Sequence, residues 1–190
     1  MTRSDEMAKQ FKESIIGRLG PETEETIFNG KTAPNDPLKR AQWVKEALTN
    51  LDKNTEKKIC NEIMHGNGVN CANHNVSIVN SSLKRRAKHT SLEEFIDAEI
   101  KKPPKGTTLK RDGDALTLSY LPQKFSRPMR CFCSLVNSLP RDEVLSETYC
   151  SCSVGFVESW WSQVIGKPVK AHLLESAITG SDICRFRITW

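Results

Sequence analysis

The sequence predicts an α+β fold: N-terminal helices followed by an antiparallel sheet of two hairpins, with a helix between the hairpins. Three observations carry this. Apolar residues recur at helical spacing through the N-terminal half, as in Met7, Phe11, Ile15 and Ile16. Two later stretches alternate apolar with polar residues beside turn signals, at Asp112-Gly113 and at Thr179-Gly180-Ser181-Asp182. Between them, Val154, Val157, Trp161 and Val164 return to a helical stripe.

A chain of 190 residues, 37% hydrophobic and 27% charged, is long enough for one domain with a sizeable core. The expected division is an N-terminal helix and linker over 1–35 and a single α+β domain over 36–190. Within that domain a helical half (36–102) precedes a sheet and cysteine-rich half (107–190). The opening Met-Thr-Arg-Ser-Asp-Glu leads into no apolar signal core, and no apolar run is long enough to span a bilayer. A cytoplasmic protein with no membrane partner is therefore expected. The net charge of +5 is mild. The basic runs Lys84-Arg85-Arg86-x-Lys88 and Lys101, Lys102, Lys105 carry no interleaved aromatic residue, so they read as solvated helix faces and not as a nucleic-acid surface.

Taken in order, residues 4–19 form a first helix that Gly17, Gly20 and Pro21 end. The segment from Gly30 to Pro37 is turn-rich. Asp36-Pro37 pairs an N-cap carboxylate with proline at the first helical position, and Leu38, Ala41, Val44, Leu48 and Leu51 follow at helical spacing. A third helix near 55–65 carries Ile59, Cys60 and Ile63 and is expected to stop at His65-Gly66, where glycine suits the left-handed cap. The glycine- and asparagine-rich stretch from Gly66 to His74 then reads as irregular backbone. Residues 76–101 read as two helices, the second opened by a capping box over Thr90–Glu93. Thr107–Arg111 and Ala115–Leu121 make the first hairpin about Asp112-Gly113. After a proline-punctuated loop, Pro122–Pro128, comes the cysteine region. A helix begins near Cys150, with Ser151 or Ser153 as its cap, and ends at Gly166-x-Pro168. Val169–Ile178 and Ile183–Ile188 form the second hairpin.

The cysteines carry the chemistry. Cys131-Phe132-Cys133 is separated by sixteen residues from Cys150-Ser151-Cys152. Cys71 stands in a C-x-x-H spacing with His74. Four converging thiolates can close a structural zinc site or hold an iron–sulfur cluster, and thiols are soft ligands and nucleophiles. Cys131, Cys133, Cys150 and Cys152 are the expected ligands, with Cys71 next. Cys150 and Cys152 lie where a helix starts, and its free N–H groups favour thiolate. Cys60 on a helix stripe and Cys184 on the Phe186–Ile188 face of a strand read as core.

Other constellations are sparse. There is no G-x-G-x-x-G, P-loop, H-E-x-x-H or G-x-S-x-G. His65, His74, His89 and His172 are scattered and read as surface residues. Glu158 reads as part of a solvated face, while Glu175 is a candidate acid or base. Trp160 and Trp161 diverge by about 100° on a helix. One of them belongs in the core, and the other is a candidate for a ligand pocket or subunit contact, leaving a homodimer open. Trp160, Trp161 and Glu175 are the expected pocket residues.

The final third of the chain reads Tyr149-Cys150-x-Cys152-x-x-Gly155-Phe156, a helix, Gly166-Lys167-Pro168-Val169, Leu174-Glu175-Ser176 and Gly180-x-Asp182-x-Cys184-x-Phe186. Over about residues 128–190 this resembles the 4-vinyl-reductase-type small-molecule-binding domains and L-2-amino-thiazoline-4-carboxylate hydrolase-like relatives. The matched positions are Cys131, Cys150, Gly155, Gly180, Cys184 and Phe186. The resemblance implies a small-molecule-binding α+β domain with cysteines that hold metal in some members. The hydrolase relatives imply opening of a small sulfur-containing ring, with a cysteine as nucleophile or ligand and Glu175 or His172 as proton carrier. The doubled cysteines at 133 and 152 depart from the hydrolase pattern. The expected function is a cytosolic small-molecule-binding domain with a cysteine-rich metal site, zinc or iron–sulfur. The alternatives are a hydrolase of that type and a thiol–disulfide switch.

Overall fold

A computed structural model of the chain describes residues 2–74, 76–122, 131–140 and 142–190. Six helices come first: α1 (Arg3–Leu19), α2 (Thr23–Phe28), α3 (Pro37–Asn54), α4 (Lys57–His74), α5 (Val76–Arg86) and α6 (Leu92–Lys101). Strands β1 (Thr107–Asp112) and β2 (Ala115–Tyr120) follow, then α7 (Cys150–Ile165), β3 (Lys170–Glu175) and β4 (Cys184–Thr189). The four strands form one antiparallel sheet in the order β1-β2-β4-β3. This is the α+β arrangement that the sequence predicts. The expected loop Pro122–Pro128 lies, from 123 onward, outside the described residues.

Local chemistry explains most boundaries. Thr2 and Asp5 cap α1 reciprocally, and the Asp36 carboxylate accepts from Lys39 N at 2.9 Å to start α3. The cap of α6 lies one residue later than expected. Ser91 Oγ accepts from Glu94 N, while Glu94 reaches back to Thr90 N at 3.0 Å. The first hairpin is shifted likewise, since Asp112 pairs with Ala115 and leaves Gly113-Asp114 as the turn. Gly113 takes φ +62°, the left-handed conformation such a turn needs.

The larger correction is α4. It does not stop at His65-Gly66 but runs on to His74, through Gly66, Asn67 and Gly68. Helix α7 packs so closely that Cβ atoms have no room at the crossing. A Cβ on Gly68 would stand 1.8 Å from the Cys152 carbonyl oxygen, and one on Gly155 would stand 2.1 Å from that of His65. These two glycines serve close helix approach, and tertiary packing overrides their poor helix propensity.

Two clusters make up the core. One gathers α1, α2, α3 and α4 around Phe11, Ile15, Phe28, Trp43, Leu48 and Met64, and continues into Leu135, Val136, Tyr149 and Cys150. The other lies between the inner sheet face (Leu116, Leu118, Phe186, Ile188) and Phe95, Ile96, Val157 and Trp161. Cys131, Cys133 and Cys152 pack on the first cluster and Cys184 on the second, while Leu173 touches both.

Candidate thiol site

The start of α7 is set by the junction of α3 and α4. Ser146 Oγ accepts from Thr148 N at 3.1 Å, capping a 3₁₀ turn over Glu147–Tyr149 that runs directly into α7. Ser146, and not Ser151 or Ser153, therefore supplies the cap. The Ser146 and Thr148 hydroxyls both donate to Asp52, Thr148 at 2.6 Å, and Lys57 Nζ donates to Thr148 Oγ1 at 2.8 Å. This anchoring fixes Cys150 and Cys152 in the first turn of α7.

The other thiols approach from three parts of the chain: α4, the segment before α7, and β4. Cys71 comes from the last turns of α4, and Cys131 and Cys133 come from the segment before α7. Cys133 N donates to Cys131 Sγ at 3.5 Å, and the Tyr149 hydroxyl donates to Cys133 Sγ at 3.0 Å. Cys150 Sγ and Ser176 Oγ share a hydrogen bond at 2.9 Å, and Ala177 N donates to Cys184 Sγ at 3.3 Å. Helix α1 flanks the group, with Ser4 Oγ donating to Ser134 Oγ at 3.1 Å. Cys71, Cys131, Cys133 and Cys150 all lie within electrostatic reach of Cys152, and Cys184 of both Cys131 and Cys150, so that ionising one thiol disfavours ionising the next. The five expected cysteines therefore lie in one region of the fold, with Cys184 at its edge. The alternation of β4 shows the face that Cys184 shares, but not what lies across from it. Tyr149 and Ser176 had no sequence signal beyond their nearness to Cys150 and to the last hairpin.

The electrostatics run opposite to the helix-start expectation. Burial pushes the Cys150 thiol up to about 11, and lifts Cys131 and Cys152 well above their ordinary value. Burial also raises Cys133, Cys71 and Cys184. Neighbouring thiols add to the rise at Cys131 and Cys152, while the Tyr149 hydrogen bond opposes it at Cys133 and the Arg3 charge opposes it at Cys71. Desolvation is the largest cause at each of these thiols. All seven cysteines are free thiols. Among the described residues, no three His, Cys, Asp or Glu side chains are arranged to hold a metal ion.

The remaining candidates lie elsewhere. His74 is exposed at the end of α4, with Nδ1 2.8 Å from Asn70 O, while Cys71 is half-buried. Glu175 is paired with Arg185 at 2.7 Å, and His172 is exposed on β3. Trp160 and Trp161 are both buried, and Trp160 Nε1 donates to Ser82 Oγ at 3.0 Å. Glu158 is not on a solvated face: its Oε2 lies 2.8 Å from His65 Nε2 and its Oε1 accepts from Ala171 N at 3.0 Å, tying α4, α7 and β3 together. Arg85, read as solvated, grips the buried Glu99 through two hydrogen bonds of 2.7 and 2.9 Å. No helix among the described residues is long and apolar enough to cross a membrane.

No curated protein matches the chain. A solved structure from a study of heme distortion in the H-NOX family is similar in fold, with a TM-score of 0.52 at 11% identity, covering 98% of this chain and 94% of that one. The chain matches a family model over residues 4–190, and it belongs to that family, the family of unknown function DUF6144.

Proposed function

We propose that this chain is a small-molecule-binding domain whose reactive element is the thiol nest, and that the nest takes a soft or borderline-soft metal ion, as zinc or an iron–sulfur cluster. The observation that carries this is that Cys71, Cys131, Cys133 and Cys150 all lie within electrostatic reach of Cys152, with the Tyr149 hydroxyl bonded to Cys133 among them. Thiols brought together from three separate parts of the chain suit such an ion better than a hard one. With no three of them in coordinating arrangement, the ion would draw the thiols inward and displace their protons. The resemblance to 4-vinyl-reductase-type domains and the fold likeness both support a ligand-binding use.

Haem, named for the structural neighbour, has no support from the two hollows beside Trp43. Haem iron is held by His, Cys, Met or Tyr. Two hollows, of about 480 and 370 Å³, flank Trp43, and no such side chain lines either of them. Of the four histidines, His65 is engaged by Glu158, His89 is half-buried against Phe95, and His74 and His172 are exposed. The ring-opening hydrolase reading has less support, because thiols held protonated are weak nucleophiles at neutral pH.

The test is a Zn²⁺ titration of reduced protein, reading proton release and residue-resolved alkylation. Zinc should release protons and protect Cys131, Cys133, Cys150 and Cys152. Alkylation that metal leaves unchanged at all four would remove the proposal.

A further inference from the structure

Away from the thiols, the segment joining α2 to α3 runs over Trp43. The hollow of about 480 Å³ lies between this segment and α3, where Lys31, Lys39, Gln42 and Glu46 border it. The hollow of about 370 Å³ lies between the same segment and α1. Thr32 and Trp43 belong to both. Trp43 is 4% exposed, stacked on Phe28 at 5.2 Å and met edge-on by Phe11 at 5.8 Å.

Its indole N–H is buried and has no hydrogen-bond partner among the described residues. That is costly, since an unpaired buried donor forfeits about 1–3 kcal/mol. Tryptophan usually satisfies this group when buried, as Trp160 does with Ser82. Trp161 Nε1 is also unpaired, but Trp161 lies within the second core cluster and lines neither hollow.

Acidic and basic side chains balance in the hollow beside α1 (Asp5 and Glu13 with Lys9 and Lys12), so the excess positive charge beside Trp43 lies in the hollow beside α3. Lys31 is balanced by Glu46 at 3.3 Å, but Lys39 has no ion pair among the described residues. Lys39 also lies in the first turn of α3, where its backbone N–H is taken by the Asp36 cap and its ammonium is left for a ligand. Gln42 adds a neutral donor and acceptor one turn further on.

We propose that the paired hollows at Trp43 form a binding site for a small planar organic anion. Its flat body would pack against Trp43, and its acidic group would meet Lys39 and accept from the indole N–H. The covering segment must yield for this to happen. It is fastened by Arg40, which donates to Pro34 O at 2.9 Å and Asn35 O at 3.4 Å, and it leaves α2 through the left-handed pair Asn29 and Gly30.

The test titrates the full chain with 2-naphthoate and follows the indole N–H signals by NMR, with the Trp43 signal identified by its loss in Trp43→Phe. A saturable downfield shift of that signal is expected, with affinity lowered about fivefold to tenfold in Lys39→Ala by loss of one charge-assisted contact. A Trp43 signal that does not move would overturn the proposal, as would unchanged affinity in Lys39→Ala. A Cys133→Ser/Cys152→Ser protein should still bind the probe, so this site and the thiol site stand or fall separately.

Discussion

Gly68 lies against the backbone of Cys152 with no space for a side chain: a Cβ there would meet the Cys152 carbonyl oxygen at 1.8 Å. This contact sets the separation of α4 and α7, and with it the approach of Cys71 to Cys152. Because the obstacle is backbone, it cannot rotate away. Gly68→Ala is expected to cost about 3 kcal/mol through overpacking. Gly66→Ala, two residues earlier and with nothing within 4 Å, should be neutral or stabilise by about 0.5–1 kcal/mol. Urea denaturation of the two variants checks the contrast; equal effects would contradict the crossing described.

Arg40 is 5% exposed and pairs with Asp5 at 2.5 Å while holding the 34–35 carbonyls. Arg40→Met should destabilise the fold by about 3 kcal/mol, because Asp5 and two carbonyls lose their donor. It should also speed hydrogen exchange selectively in the segment over Trp43. Uniform loss of protection across all helices would show that the fastening is not local.

Tyr149 donates to Cys133 Sγ, and this hydrogen bond, ahead of the Leu135 backbone N–H and the Arg3 charge, opposes the burial-driven rise of that thiol. Tyr149→Phe should push the Cys133 thiol higher still and slow its alkylation at mildly alkaline pH, at a stability cost of about 1 kcal/mol. Residue-resolved alkylation rates decide it. Faster reaction of Cys133 would mean that the hydroxyl shields the sulfur and does not activate it.

How far the sequence could be read depended on whether the signal was local. The periodicity of α1 and α3, the Asp36-Pro37 start and the alternation of β2 and β4 are properties of short stretches, and each element stands where expected. The continuation of α4 through Gly66-Asn67-Gly68 was not legible, because these residues break helices unless a partner backbone needs the room. Glu158 looked solvated because nothing in α7 reveals that His65 and Ala171 N wait across two interfaces. The C-x-C pairs mark the cysteine-rich region in the sequence, but the protonation of these thiols was not legible. The sequence shows a helix start; only the packing shows how thoroughly it is desolvated.

The raised thiols also govern alkaline stability of the metal-free protein. In the unfolded chain the Cys150 thiol ionises near 9.0, whereas folded Cys150 holds its proton to about 11. Between those values the unfolded state binds fewer protons, so stability falls as pH rises through the window and is fully present below it. Denaturation midpoints at pH 7, 9 and 10.5 should show a steeper decline for the native chain than for Cys150→Ala. Parallel declines would mean that Cys150 is not the group responsible.

The most direct measurement is metal content per chain in protein purified anaerobically, with free thiols counted on the same sample. Stoichiometric zinc or iron, lost in the Cys133→Ser/Cys152→Ser variant and accompanied by masking of the nest thiols, is the predicted result. Metal-free protein in which Cys71, Cys131, Cys133, Cys150 and Cys152 all titrate as free thiols, and which takes up no zinc or iron when it is supplied, would contradict it.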